Sequence, residues 1–445
     1  VTHAPARAAG VEGDRGTVWQ AGRVPTLSED LRFRGLVHQV TDEHLWERLD
    51  GDRLTLYIGF DPSFSSLHVG SLLQLTLLRR FQLAGHRPIA LAGGGTGMIG
   101  DPGGKSEERQ LLSRDVLAAN VEAIRAQLAR FVDLDDGLLL DNGAWLSQLT
   151  LIEFLRDVGK HFTVNQMMAK ESVRARLERP DQGISYTEFS YMLLQAYDFL
   201  RLHEDHGCEL QVGGSDQWGN ITAGVEFVRR CTGKPVYGLT TPLVLKADGT
   251  KFGKTASGAV WLDASLTSPY RFYQFLLQTE DAVVGSWLRY LTFYDHEQIA
   301  DLDRQTAAHP ERRAAQRALA RATTALVHGD AEAERAERAS RALFGEEIAS
   351  LDEPAFLDVV GEAPSGDVAR DALVRGDVTL VDAMVSSGLA ASRSEARRAI
   401  EQGGAYVNNR RVGATDRVLG PGDLLHGRYV VLRRGRKDYH LLVVR

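Results

Sequence analysis

Two stretches of this chain repeat one plan: a short buried strand, a helix with an apolar face, and a second buried strand. In the first, residues 54–58 and 88–92 are strand-length apolar runs on either side of a helical pattern over 67–84. In the second, 209–212 and 239–245 flank a helix over about 221–230. Nearly unbroken apolar runs such as 54–58 and 88–92 belong to strands covered on both faces, which is the habit of parallel sheets. A helix between two such strands makes the right-handed crossover that parallel pairing requires. The expected fold class is therefore α/β, a Rossmann-like doubly wound parallel sheet, whose ligands bind beyond the carboxyl ends of the strands.

The rest of the chain is arranged around that sheet. Residues 1–30, rich in Ala, Gly and Arg without periodicity, read as a flexible tail. Residues 31–264 form the α/β domain, with a mostly helical stretch at 107–206 and a helical insertion at about 130–200. A helical domain follows at 265–345, then a linker at 346–376 that contains Pro354 and Pro364, then a small module at 377–445. That module carries 12 Lys and Arg against 7 Asp and Glu, a net +5, so the total of -7 leaves -12 on the remainder. A basic module on an acidic body points to a polyanionic partner for the module alone. At 445 residues, 43% hydrophobic and 25% charged, the composition is that of a globular protein. No apolar run has the length of a membrane span and no leader is evident, so the expectation is a soluble, cytoplasmic protein. Cys208 and Cys231 stand far apart with no second ligand at metal spacing, which argues against a disulfide framework or a metal site.

Four polar or glycine-rich clusters follow the expected strands. The first runs Gly59-Phe60-Asp61-Pro62 to His68-Val69-Gly70-Ser71 and places His68 and Gly70 at a helix start. There an imidazole adds a donor to the free backbone N–H groups and a glycine lets a bulky ligand lie against the chain, which suits a phosphate. Taken alone, such a histidine is more often a surface or capping residue. The last cluster, Lys251-Phe252-Gly253-Lys254-Thr255, holds two of only eight lysines in the chain. Two ammonium groups on one loop can close over a polyphosphate and neutralise a departing group; alone, a solvated basic loop is the commoner case. Gly95 to Gly100 matches the dinucleotide fingerprint, but Asp101-Pro102-Gly103-Gly104 breaks the helix that the fingerprint should open, and no acid ends a second strand at the required distance. Gly104-Lys105-Ser106 lacks the first glycine of a P-loop. On a helix spanning 186–200, Tyr191, Gln195 and Asp198 share one face, since they stand at i, i+4 and i+7. A phenol, an amide and a carboxylate so aligned can line a polar pocket, although such a face is usually solvated.

Together, the His-x-Gly element, the Lys-x-x-Lys-Thr loop, Tyr57-Ile58-Gly59-Phe60-Asp61-Pro62, the Gly-Asp-Pro at 100–102, Tyr191 to Asp198 and Gly213-Gly214-Ser215-Asp216-Gln217 resemble the bacterial tyrosyl-tRNA synthetases, within class I of the aminoacyl-tRNA synthetases. The resemblance runs from about residue 31 to the end. The last module, through Ser392-Arg393-Ser394-Glu395-Ala396-Arg397-Arg398 and Val407-Asn408, is similar to the S4 RNA-binding fold, a small α+β domain. The resemblance implies a ligase that activates L-tyrosine with ATP and Mg²⁺, then transfers it to the 3′ end of tRNA(Tyr), commonly as a homodimer with the helical insertion in the contact. It assigns Tyr57 and Asp198 to the substrate's phenol, and Asp101, Tyr191 and Gln195 to its ammonium group. Gly59, Asp61 and Gln217 would border tyrosine and ATP, with Asp216 on the ribose. His68, Gly70, Ser71, Lys105, Arg109, Lys251, Lys254 and Thr255 would hold the phosphates. Arg393, Arg397, Arg398, Arg410 and Arg411 would meet RNA. This chain departs from the pattern at Ser71, where a second His is frequent, and at Ile58, where Cys is frequent. Two rivals stay open at this point: a tryptophanyl enzyme of the same class, and a non-catalytic RNA-binding protein that keeps the fold.

Overall fold

The computed structural model describes residues 25–101, 112–170, 173–174, 177, 183–245, 249, 254–255, 258–342, 346–361, 363–435 and 438–445. The chain divides into two compact units, one taking residues up to Asp263 with Glu280–Ala315, the other Ala264–Thr279 with Gln316–Arg445.

The first unit begins with α1 (Leu27–Phe33), capped by a reciprocal Thr26–Glu29 box. Order thus starts inside the expected tail of 1–30, because Thr-x-x-Glu ahead of an apolar residue is a helix-start signal. The sheet is built from β1 (Gln39–Val40), β2 (Thr55–Phe60), β3 (Arg87–Ala92), β4 (Leu138–Asp141), β5 (Cys208–Gly214) and β6 (Tyr237–Thr241), in the order β1-β6-β5-β2-β3-β4. All pairs are parallel except β1 with β6. From β2 the chain proceeds outward through β3 and β4 on one side and through β5 and β6 on the other, so the direction of winding reverses between β2 and β5. That is the switch point at which such sheets leave a crevice.

Helix α2 (Leu72–Leu83) covers the sheet with Leu72, Leu73, Leu75, Leu77, Leu78 and Phe81, all buried. It starts later than the 67–84 pattern suggests because His68 is extended (φ -116, ψ 169) and bridges to Trp261. Helix α3 (Arg114–Leu128) precedes β4, and α4 (Tyr186–His206) and α5 (Trp218–Thr232) flank β5. Both α4 and α5 end on a left-handed glycine, Gly207 at φ 65 and Gly233 at φ 72, conformations that only glycine adopts without strain. Strand β6 stops at Thr241 rather than at 245, since Pro242 has no N–H for the ladder. Strand β4 interrupts the stretch read as helical; its four residues are too few to show a period, and it pairs with β3 alone at the sheet edge.

The second unit corrects two expectations. The helices of 265–345 do not form one body, since Asp281–Leu291 and His296–Ala308 belong to the first unit. Residues 346–376 are no linker: they hold the helix Glu353–Val360, the strand β7 (Ser365–Val368) and the helix Arg370–Arg375. Pro354, read as a breaker, sits in the first turn of its helix, where no intrahelical N–H is required. Strand β7 pairs in parallel with the last strand of a five-stranded sheet made with β8 (Ala405–Val407), β9 (Arg410–Val412), β10 (Tyr429–Arg434) and β11 (Asp438–Val444), in the order β9-β8-β10-β11-β7. Both faces of this sheet are covered. Val430 and Leu432 pack toward Leu380, Met384 and Ile400, while Tyr429 and Val431 pack toward Phe356 and Val360.

Among the described residues, no helix is long and apolar enough to cross a membrane. Leu432 is fully buried, so Leu432→Ala should cost about 2–5 kcal/mol. Urea unfolding followed by far-UV circular dichroism should show a lower midpoint for that variant.

Candidate active site

The residues at the carboxyl ends of β2, β3, β4 and β5 come together with one face of α4. Tyr57 on β2 is 2% exposed, packs against the ring of Phe199 at 5.4 Å, and has a buried hydroxyl without a hydrogen-bond partner among the described residues. Burial raises its pKa well above the usual tyrosine value, and the nearby Asp198 carboxyl raises it further. Gly59, two residues on, is the exposed residue of β2, with nothing within 4 Å of where a Cβ would stand.

Asp198 is also 2% exposed, and it accepts from Asn142 Nδ2 at 2.8 Å and from Trp145 Nε1 at 2.7 Å. Burial pushes its pKa up to about 7, against the pull of those two donors. Asn142 is the hub of the cluster. Its Oδ1 accepts from Gly95 N–H at 2.7 Å, and its Nδ2 also reaches Thr96 Oγ1 at 3.0 Å. Thr96 Oγ1 donates to Asp61 Oδ1 at 2.9 Å, and Tyr191 Oη donates to Asp61 Oδ2 at 2.9 Å. One chain of polar contacts therefore joins Tyr191 to Asp198 through Asp61, Thr96 and Asn142. The loop after β3 is fixed by Asp141, whose Oδ1 accepts from the N–H groups of Gly94 and Gly143 at 3.1 and 2.8 Å. A Cβ on Gly94 would lie 2.3 Å from that oxygen, so close approach requires glycine there.

A second chain lies on the α5 side. Asn220 Nδ2 donates to Gln195 Oε1 at 3.1 Å and to Gln217 Oε1 at 3.2 Å, and Gln217 Nε2 donates to Asp101. Asp101 and Asp61 both raise the pKa of the Tyr191 phenol, after burial, so these three stand close together. Asp216 occupies the turn after β5, with its carboxylate folded toward Gly214, where a Cβ would meet Oδ1 at 2.6 Å.

His68 caps the turn Val69–Ser71: its Nδ1 accepts from Gly70 N–H at 3.0 Å. That acceptor role leaves the ring proton on Nε2. Ser71 begins α2 without a side-chain cap bond. Lys105, Arg109 and Lys251 lie outside the described residues. Lys254 and Thr255 form a two-residue ladder with Gly258–Ala259. The segment that follows runs along the His68 segment, with Val69 N–H to Val260 O at 2.8 Å and Leu262 N–H to Leu67 O at 2.9 Å.

In the other unit, Arg393 is paired with Asp382 at 2.6 Å, and Arg411 donates to Gly403 O at 3.0 Å at the end of the preceding helix. Arg397, Arg398 and Arg410 are exposed.

Sequence reasoning missed Asn142, Trp145, Thr96 and Asn220. Asn220 had a signal, three residues after Gln217 on a helix; Asn142 and Trp145 follow β4, which was itself missed.

A sheet whose winding reverses between β2 and β5, with acids gathered at its strand ends, is a doubly wound α/β fold whose ligand crevice lies at that switch point. Residues 49–345 match the model of class I tRNA synthetases for tryptophan and tyrosine, and 362–442 match that of the tyrosine–tRNA ligase C-terminal domain. The chain belongs to this class I synthetase family. Within it the likeness is to the tyrosine enzymes. The chain is 56% identical to the tyrosine–tRNA ligase of Roseiflexus castenholzii over 94% of its own length and 99% of that protein, and 53% identical to that of Opitutus terrae over 94% and 100%. The C-terminally truncated mitochondrial tyrosyl-tRNA synthetase of Aspergillus nidulans superposes with a TM-score of 0.66 at 33% identity, covering 73% of this chain and 95% of that one.

The raised pKa of Asp198 has a thermodynamic consequence. A carboxyl that titrates near 7 when folded and near 4 when unfolded holds its proton more tightly in the native state. Its contribution to stability is present below about pH 4 and is lost as pH rises toward about 7. Unfolding free energies of the unliganded protein measured across that range should fall relative to Asp198→Asn, then run parallel at higher pH.

Proposed function

We propose that the chain is a tyrosine–tRNA ligase that activates L-tyrosine with ATP and passes it to the 3′ end of tRNA(Tyr). The observation that carries this reading is the buried, unpartnered hydroxyl of Tyr57 beside the Asp198 carboxyl. A substrate phenol can donate to Asp198 and accept from Tyr57, so it satisfies both in one contact. The indole of tryptophan has only a donor and would leave the Tyr57 hydroxyl unpaired.

In this reading Asp101, Tyr191 and Gln195 hold the substrate ammonium group. Asp61, Gly59 and Gln217 border the amino acid and the nucleotide, and Asp216 takes the ribose. Asp61 accepts from Thr96 and Tyr191 and so holds its place before substrate arrives. His68 Nε2–H and Ser71 meet the phosphates, Gly70 leaves the backbone there open to a bulky ligand, and Lys105, Arg109, Lys251, Lys254 and Thr255 supply positive charge and a hydroxyl. The tyrosine carboxylate attacks the α-phosphorus, the bond to the bridging oxygen breaks, and pyrophosphate leaves. The terminal ribose hydroxyl of tRNA then attacks the adenylate carbonyl, and AMP leaves. No protein nucleophile is needed; alignment and charge stabilisation carry both steps. Mg²⁺ carried by ATP would supply further positive charge against the departing pyrophosphate.

The basic module positions tRNA through its phosphates with Arg393, Arg397, Arg398, Arg410 and Arg411, all exposed, of which Arg393 also pairs with Asp382 and Arg411 also bonds Gly403 O. The protein acts in the cytoplasm as a homodimer. Large apolar side chains left exposed at Leu151, Ile152, Leu155, Val164, Met168 and Tyr186 support a contact through the insertion at about 130–200.

Asp198→Ala should lower tyrosine-dependent pyrophosphate exchange and narrow the preference for tyrosine over phenylalanine by about tenfold or more. An unchanged ratio of kcat/KM values for the two amino acids would overturn the phenol assignment. Ile152→Asp should shift the protein toward monomer in sedimentation velocity, and an unshifted dimer would reject this contact.

A further inference from the structure

The loop from β2 to α2 reads Asp61-Pro62-Ser63-Phe64-Ser65-Ser66, one large apolar ring among hydroxyls. Phe64 is 60% exposed. A lone exposed ring is ordinary on a protein surface, but this one is braced. It lies against Trp261, with centroids 5.0 Å apart and planes at 60°, and Trp261 stands edge-on to the His68 ring at 6.3 Å. Trp261 is held in turn by the backbone bonds on either side of it, Val69 N–H to Val260 O and Leu262 N–H to Leu67 O. The outcome is an aromatic step on a rigid base, adjoining the His68-capped turn that leads into α2 and three residues from Asp61.

We propose that the open face of Phe64, braced by Trp261, is a stacking platform for an unpaired base at the 3′ end of tRNA. The inference rests on the tyrosine–tRNA ligase reading, which brings a single-stranded RNA end to these strand termini. Proteins take single-stranded RNA by splaying its bases onto aromatic rings, and because every base has a π-face such a ring tolerates any sequence. The step therefore orients the acceptor end without choosing the tRNA. The other π-system that reaches the site is the adenine of ATP, and the two occupants separate by assay.

Phe64→Ala, Phe64→Leu and Phe64→Trp are compared with the parent in tyrosine-dependent pyrophosphate exchange and in tRNA charging. The Ala and Leu variants should raise the KM for tRNA about fivefold or more, with the exchange KM values for tyrosine and ATP within about twofold, and Trp should restore the parent value. A tRNA lacking its 3′ single-stranded nucleotides should inhibit parent and Phe64→Ala equally, since it lacks the stacked base. A parent-like Leu variant would mean packing rather than stacking, a raised KM for ATP would mean adenine, and an unmoved KM for tRNA would mean no contact; each overturns the proposal. Absence of exchange in the parent would instead sink the ligase reading, and the platform with it.

Discussion

The arrangement at the strand ends depends on one buried amide. Asn142, 1% exposed, bonds the Gly95–Thr96 loop with its oxygen and ties Thr96 to Asp198 with its nitrogen. Three elements that share no sequence neighbourhood, β4, the loop after β3 and α4, are thereby fixed to one another. A carboxyl as deeply buried as Asp198 is costly when ionised unless donors surround it. Asn142 and Trp145 supply two, and they orient both oxygens, so the position of the acid is set before any ligand enters. Preorganisation of this kind separates a recognition site from a merely polar patch.

What the sequence made legible follows from how strongly each element declares its period. Strands β2, β3 and β5 and helices α2 and α5 are apolar enough to be read directly, and the triad Tyr191, Gln195 and Asp198 emerges from helical spacing alone. Strand β4 carries only Leu138, Leu139, Leu140 and Asp141, which no periodicity can distinguish from a turn of helix. With it vanished Asn142 and Trp145, the two partners of Asp198. The region 346–376 failed for a different reason. Proline and glycine were taken as interruptions, whereas Pro354 opens a helix and Gly366 lies within a strand, where a Cβ would come within 3.1 Å of His440 Nε2. The acids, amide and phenols that meet at the strand ends were more legible than the residues that brace them, because such side-chain types stand out in a sequence and supporting ones do not.

The basic module shows the same limit in reverse. Counting arginines marks it as a partner for polyanions, but Arg411 is bound to helix-terminal carbonyls and Arg433 is 8% exposed beside the Tyr406 ring at 3.8 Å. Arginine stems and guanidinium groups serve packing as well as charge. Net charge therefore indicates the class of partner, and exposure decides which arginines can reach it.

Charge within the first unit poses a further problem and suggests its solution. Asp61, Asp101, Asp141, Asp198 and Asp216 cluster at the strand ends, an acidic floor suited to an ammonium group and to ribose hydroxyls but repulsive to a triphosphate. Of the groups that the ligase reading sets against phosphate, His68 and Ser71 carry little charge. The cations that the same reading assigns to the phosphates stand elsewhere in the sequence: Lys105 and Arg109 after β3, and Lys251 and Lys254 after β6. Acids fixed at the strand ends and bases carried by other stretches of the sequence would let the amino acid be recognised by groups already in place. In that reading, positive charge is concentrated where the pyrophosphate forms by residues drawn from stretches of sequence apart from the acids that fix the amino acid.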